Sequence, residues 1–345
     1  MNMRTANGAA ADTLSRCREL VWPALRAAVA TLDPRLEAMS GFTLGWRDAG
    51  GAFVPDGGGK GLRPALAVLG ARAAGAPPET GVPGAVAVEL VHVFSLVHDD
   101  IMDGDERRRH RPTAWKAYGV GPALLTGDAL LALALETLAS SPGDERAEAS
   151  RLLCGALMEL VGGQAADVSF ETRPWTGTGA VTVEEYRDMA VRKTGALLGC
   201  SAAIGAVLAG APAAVAGGLA EAGRHLGLAF QMVDDVLGIW GDPDVTGKPV
   251  HSDLRRRKKT LPVLAALAAP VADARLVDLL DRARDEDDLR RTAELIAAAG
   301  GRDAAEDLAR RHLDTALATL AGLDLDAAAT AELVALAEFL ADRSS

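Results

Sequence analysis

The chain has 345 residues and a formal net charge of −11, with 49% hydrophobic but only 4% aromatic residues. Such an acidic balance excludes a general nucleic-acid partner, which needs excess Lys and Arg to neutralise phosphate, so any anion site must be a local cluster. Cys17, Cys154 and Cys200 are too few and too widely spaced for a disulfide framework or a zinc site, which places the chain in a reducing, cytoplasmic setting.

Ala, Leu, Arg and Glu predominate and β-branched runs are short, so the composition predicts an all-α fold with almost no sheet. Residues 1–12 are expected to form a flexible N-terminus without an export signal, and 13–345 a single large helical domain with no internal linker. A first helix is predicted over 13–39, with Pro23 and Pro34 as irregularities. A Gly-rich loop over 41–59 then leads into Lys60-Gly61-Leu62-Arg63-Pro64 and a second apolar helix. The next helix, from near Val82, carries VELVHVFSLVHDDIMD, and the basic stretch 107–111 after it ends at Pro112. Further helices are predicted near 122–139, 145–170 and 183–209. Helix 214–241 carries FQMVDDVLGIWGD, a GKPVHSDLRRRKKTLP loop follows, and three or four amphipathic helices close the chain. The uncharged run 195–220 has the length of a membrane span, but its Ala and Gly content and Pro212 predict a closely packed core helix and turn, not an integral span.

On a helical wheel His92, Ser95, Asp99 and Asp103 fall on one stripe, with Asp100 adjacent. Burying lone carboxylates in an otherwise apolar helix is costly, so the stripe must be solvated, paired or metal-bound. Magnesium takes oxygen ligands, commonly one or two carboxylates plus substrate phosphates, which suits Asp99-Asp100-x-x-Asp103 better than a solvated face does. Gln231, Asp234, Asp235 and Gly238 repeat the helical spacing, and two such helices together can hold a cluster of divalent cations. Lys60, Arg63, Arg108, Arg109, Lys193, Lys248 and Lys258 supply separated cations: Arg grips phosphate bidentately, Lys as a point charge. Any one of them alone reads equally well as a surface charge; their grouping around the two acidic motifs favours diphosphate. His98 and His110 receive no role.

GGKGLRP at 58–64, HDDIMDGDERRRHRPT at 98–113, KT at 193–194 and FQMVDDVLGIWGDPDVTGKP at 230–249 together resemble the trans-prenyl (polyprenyl) diphosphate synthase family, in the family's order and over nearly the whole chain. The resemblance implies an isoprenoid synthase fold around a central cavity, a homodimer, and condensation of isopentenyl diphosphate with an allylic diphosphate. It implies that Asp99, Asp100, Asp103 and Asp234 hold three magnesium ions on the allylic diphosphate, with Asp235 in support. Arg108, Lys193, Lys248 and Lys258 would grip the same group, Lys60, Arg63, His92 and Arg109 would bind isopentenyl diphosphate, and Gln231 and Thr194 would line the cationic site.

The chain departs from the pattern in three places. Gly238 stands where the family has the third carboxylate of the second motif, Gly61 where it has Arg, and His110 where it has Gly. Phe94, five residues before Asp99, matches synthases that stop at geranylgeranyl diphosphate, with farnesyl diphosphate the other product considered; a wheel rotates Phe94 about 140° from Asp99 and leaves Ser95 nearer the active face. Two other readings compete: a non-catalytic subunit that keeps the fold, which the missing carboxylate allows, and a class I terpene cyclase, which GGKGLRP disfavours because a cyclase needs no second diphosphate site.

Overall fold

The computed structural model describes residues 3–54, 59–108, 110–243, 249–270, 274–283 and 285–341, with side chains from Gly8 onward except at Ala274 and Ala341. The chain is all-α, as its composition predicts. In order the helices are α1 Met3–Val29, α2 Pro34–Thr43, α3 Leu62–Ala73, α4 Val82–Met102, α5 Ala114–Tyr118, α6 Val120–Ala139, α7 Arg146–Phe170 and α8 Val183–Ala190. A π-helical turn, Val191–Gly195, joins α8 to α9 Ala196–Leu208, and α10 Ala213–Trp240 follows. The chain continues through α11 Ser252–Arg255, α12 Leu261–Ala268, α13 Ala274–Arg282, α14 Glu286–Ala298, α15 Gly301–Ala321 and α16 Ala327–Ala341. Among the described residues the sheet is one hairpin of two-residue strands, β1 Arg107–Arg108 and β2 Arg111–Pro112.

The structure departs from the elements read in the sequence at both ends of the chain, and a π-helical turn interrupts the helix read over 183–209. The expected helix over 13–39 is instead two helices: α1 starts at Met3 and absorbs Pro23, and a new helix starts at Pro34. The cause of the break is local, since Pro34 suits a first helical position and the Asp33 side chain accepts the Arg35 N–H at 3.0 Å. At the other end, five helices among the described residues follow Thr260, where the sequence reads as three or four.

The chain clusters into two compact units, one formed by Met1–Leu157, Leu197–Gly223 and Thr319–Leu336, the other by Met158–Ala196, Arg224–Ala318 and Ala337–Ser345. In the first, α4 packs on α3 and α6. Helices α3 and α9 cross so closely that a Cβ on Gly70 would lie 2.4 Å from the Ala202 carbonyl oxygen, and one on Gly205 only 1.8 Å from that of Ala67. Leu66, Leu69 and Leu90 are fully buried there, each contributing about 1.5–3 kcal/mol by transfer from water. Glu332 of α16 accepts bonds from Thr13 of α1 at 2.9 Å and Arg72 of α3 at 2.7 Å, which ties three helices to one carboxylate. This packing fixes α4, whose last turn carries the first acidic motif.

In the second unit, Tyr186, Met189, Leu228, Met232, Val236 and Leu261 form a core under α10. That core takes one face of the helix and sets which way the second acidic motif points. Among the described residues three helical stretches are long and apolar enough to cross a membrane, but the most apolar parts of Pro78–Met102 and Val183–Leu208 are 67% and 72% buried within the protein. The third, Val120–Ala139, is 39% buried.

Candidate active site

In the first unit, Asp99 is half-buried on α4 and Asp103 caps the helix C-terminus, its N–H donating to the Asp99 carbonyl at 2.8 Å. Asp100 points inward: it is 5% exposed and accepts Arg108 Nε at 2.9 Å and Nη2 at 2.7 Å. The β1–β2 hairpin that presents Arg108 is held by Asp105, whose carbonyl accepts Thr113 Oγ1 at 2.7 Å and Trp115 Nε1 at 2.8 Å. His110 turns the hairpin with a positive φ of 64°, the conformation that favours Gly. Arg109 lies outside the described residues.

Lys60 is exposed just ahead of α3, and Arg63 is half-buried in its first turn. Gly61 between them has φ 70°, and a Cβ there would press on Trp22 at 3.3 Å. This departure from the family motif therefore has a backbone reason. His92 and Ser95 are half-buried on α4, and the Ser95 hydroxyl donates to the His92 carbonyl at 2.8 Å. Phe94 is 8% exposed and meets the His98 ring edge-on at 4.8 Å between centroids. His98 in turn sits over Gly127, where a Cβ would fall 2.3 Å from its Nε2.

In the second unit, the two aspartates of α10 divide the same way. Asp234 is exposed and Asp235 is 4% exposed. Three donors reach the Asp235 carboxylate: Tyr186 Oη at 2.5 Å and Leu261 N–H at 2.9 Å on Oδ2, and Gln231 Nε2 at 3.0 Å on Oδ1. Burial pushes its carboxyl up to about 7 against the pull of those donors. Gln231 continues the chain by accepting the Thr194 hydroxyl at 2.6 Å on Oε1.

Thr194 and Lys193 both lie in the π-helical turn, a distortion that recurs at functional sites because it re-aims side chains out of helical register. The turn presses on α7 so tightly that a Cβ on Gly163 would stand 2.3 Å from the Lys193 nitrogen. Lys193 Nζ donates to Asp167 Oδ2 at 2.5 Å. Lys258 is half-buried, and its N–H donates to the Asp253 carbonyl at 2.9 Å. Its neighbour Lys259 is buried 3.2 Å over the Trp175 ring, and burial pushes that amine down to about 8. Lys248 lies outside the described residues.

The structure thus brings Asp99, Asp100, Asp103 and Arg108 together in one unit, and Lys193, Thr194, Gln231 and Asp235 into one network in the other. Sequence reading overlooked Tyr186, which donates to Asp235, and two residues of α7. Asp167 pairs with Lys193, and Gln164 is buried on the same helix. Their signal was available as two polar residues three apart in GGQAAD, a spacing that puts both on one helix face beside glycines that admit a close neighbour.

Among the described residues no three His, Cys, Asp or Glu side chains form a ready-made metal cage. Magnesium does not require one, because it keeps several waters and completes its shell with substrate phosphate. Asp99 with Asp103, and Asp234, are oxygen donors of the right chemistry for that mode of binding.

Residues 52–296 match the polyprenyl synthetase family model. The chain is 47% identical over 338 residues to the (2E,6E)-farnesyl diphosphate synthase of Mycobacterium tuberculosis, covering 96% of this chain and 93% of that protein. It is 41% identical over 334 residues to a geranylgeranyl diphosphate synthase of the same organism, again covering 96% and 93%. The crystal structure of a polyprenyl synthetase from Streptomyces coelicolor A3(2) superposes with a TM-score of 0.89 at 49% identity, covering 95% of this chain and 98% of that one. In sequence, in fold and in the order of its motifs, this chain belongs to the polyprenyl synthetase family and is a prenyl diphosphate synthase.

Proposed function

We propose that the protein is a magnesium-dependent enzyme that condenses isopentenyl diphosphate with an allylic diphosphate and stops at a short chain. The observation that carries this reading is the shared construction of the two acidic motifs. In each Asp-Asp pair the second residue is buried, Asp100 on Arg108 and Asp235 on Tyr186, Leu261 and Gln231, while the first is the more exposed of the two, Asp99 half-buried and Asp234 exposed. A solvated charge face has no need of such anchoring.

On this reading Asp99, Asp103 and Asp234 hold magnesium, three ions in all, while Asp100, which the family resemblance counts among the ligands, is buried on Arg108 and joins Asp235 in positioning them. Magnesium when bound supplies the positive charge that stabilises the departing diphosphate. Arg108, Lys193, Lys248 and Lys258 grip the allylic diphosphate, and Lys60, Arg63, His92 and Arg109 the isopentenyl diphosphate. The allylic carbon–oxygen bond breaks, the isopentenyl double bond attacks the resulting cation, and a proton leaves to the released diphosphate. Thr194 and Gln231 turn dipoles toward the cation, which needs electrostatic support and exclusion of water but no side-chain nucleophile.

The product we assign is geranylgeranyl diphosphate, supported by Phe94 five residues before Asp99 and by the absence of an insertion in the first motif. Farnesyl diphosphate is the second reading, favoured by the 47% relative that makes it. We place the enzyme in the cytoplasm as a homodimer: α6 leaves Val120, Leu124 and Leu125 exposed and α7 leaves Met158, Val161 and Val168 exposed, apolar surfaces suited to a second copy.

The test is product analysis with magnesium, isopentenyl diphosphate and, in turn, dimethylallyl, geranyl and farnesyl diphosphate, with Asp99→Ala and chelator controls. A twenty-carbon product lost in both controls is expected. A fifteen-carbon end product would replace only the chain-length assignment; no elongation from any starter would leave a non-catalytic member of the family.

A further inference from the structure

Gly238 lies one helical turn after Asp234 on α10, so a side chain there would share the stripe that carries Asp234 and Gln231. The space is already taken. A Cβ on Gly238 would stand 2.0 Å from Asp253 Oδ2, 2.5 Å from its Cγ and 3.1 Å from its Oδ1. The carboxylate of Asp253, on α11, therefore occupies the volume that a longer residue at 238 would fill.

The approach is built into the backbone. Ser252 Oγ donates to the Gly238 carbonyl at 3.2 Å, and the Lys258 N–H donates to the Asp253 carbonyl at 2.9 Å, so both sides of Asp253 are fastened. His251, which opens α11, holds a positive φ of 61° to bring the helix onto α10. Residues four apart on a helix have Cβ atoms about 5–6 Å apart, which sets the Asp253 carboxylate one helical turn from Asp234, a spacing that lets two oxygen donors serve one hydrated cation.

We propose that Asp253 supplies the carboxylate that α10 lacks at Gly238, and that these two residues form a compensated pair in which glycine is required because the acid comes from another helix. The inference rests on reading the acidic helices as a magnesium–diphosphate site. It also explains the departure at Gly238 without any loss of negative charge from the site.

The experiment exchanges the acid between the two positions and reads binding, not turnover. Calorimetric titration with inorganic diphosphate, with and without magnesium, is applied to the wild type, Asp253→Asn, Asp253→Ala, Gly238→Asp and the double variant Gly238→Asp/Asp253→Ala, with thermal melts to verify folding. Magnesium-dependent diphosphate affinity is expected to fall about tenfold or more in Asp253→Asn and Asp253→Ala. It should return to within about threefold of wild type in the double variant, a non-additive recovery of the kind expected where two positions share one volume. Gly238→Asp alone should melt lower than wild type, because two carboxylates then compete for one volume. An unchanged affinity in Asp253→Asn, or a double variant no better than Asp253→Ala, overturns the pairing while leaving the site reading intact. A wild type that binds diphosphate equally well without magnesium overturns the site reading and the inference with it.

Discussion

Replacing Tyr186 by Phe tests whether the buried network under Asp234 stabilises the fold as its geometry implies. Tyr186 is 1% exposed, and its hydroxyl donates to Asp235 Oδ2 at 2.5 Å. Phe keeps the ring in the core and removes one bond to a carboxylate that retains the Leu261 N–H and Gln231. At pH 8, above the value of about 7 to which burial pushes Asp235, the acceptor is ionised. A bond to a charged group contributes about 1.5–3 kcal/mol, against about 1 kcal/mol for a neutral pair. An unfolding entropy of about 2.1 cal/mol/K per residue gives about 0.7 kcal/mol/K for the chain, so the loss corresponds to a Tm about 2–4 °C lower.

The sign of the pH dependence follows from the same bond. A folded pKa raised above the unfolded value near 3.8 means that the contribution of Asp235 to stability is fullest at low pH and is lost as pH rises through 7. Removing a donor that favours the ionised form raises that pKa further, so the deficit of the variant grows between pH 5.5 and pH 8. Scanning calorimetry of the metal-free protein at the two pH values measures both effects. An unchanged Tm at pH 8, or a deficit that is the same at both values, refutes the argument.

Gly205→Ala should destabilise by about 1–3 kcal/mol or more in urea denaturation, because its methyl group would stand 1.8 Å from the backbone oxygen of Ala67, which cannot rotate away. His312 is 8% exposed beside His225 at 2.9 Å, and burial, together with His225, Arg187 and Arg311, pushes it down to about 4. Its contribution is therefore complete above pH 6.5 and lost as pH falls toward 4, by about 2–3 kcal/mol between pH 7 and 4.5, and His312→Gln should flatten that part of the urea-denaturation profile. Lys193→Ala should lower kcat about 100-fold in single-turnover assays, while Asp167→Asn, which acts through Lys193, should cost about tenfold.

The acidic motifs were legible in the sequence because carboxylates at three- and four-residue spacing on apolar helices are costly to bury without a partner or a metal. The helix breaks were legible only where local chemistry decides them. Asp33 and Pro34 split the first expected helix by a cap that the sequence displays, whereas the π-helical turn at 191–195 arises from tertiary pressure: α7 brings Gly162 and Gly163 against Arg192 and Lys193, and no pattern within VRKTG announces it. Nor does a wheel say which Asp of each pair turns inward. Neighbouring positions differ by about 100°, and the choice is made by Arg108 in one unit and by Tyr186 and Leu261 in the other.

The two glycine departures from the family motifs show the same division between local and distant causes. Read along the chain, Gly61 and Gly238 are losses, one of a cation and one of a carboxylate. In three dimensions each marks a place where something else has entered: the Trp22 ring and a left-handed backbone at 61, the Asp253 carboxylate at 238. A missing side chain in a motif is therefore weak grounds for inferring lost function until the volume it would occupy has been inspected. At Gly238 that volume holds the same chemical group, which favours a rearranged site over a decayed one.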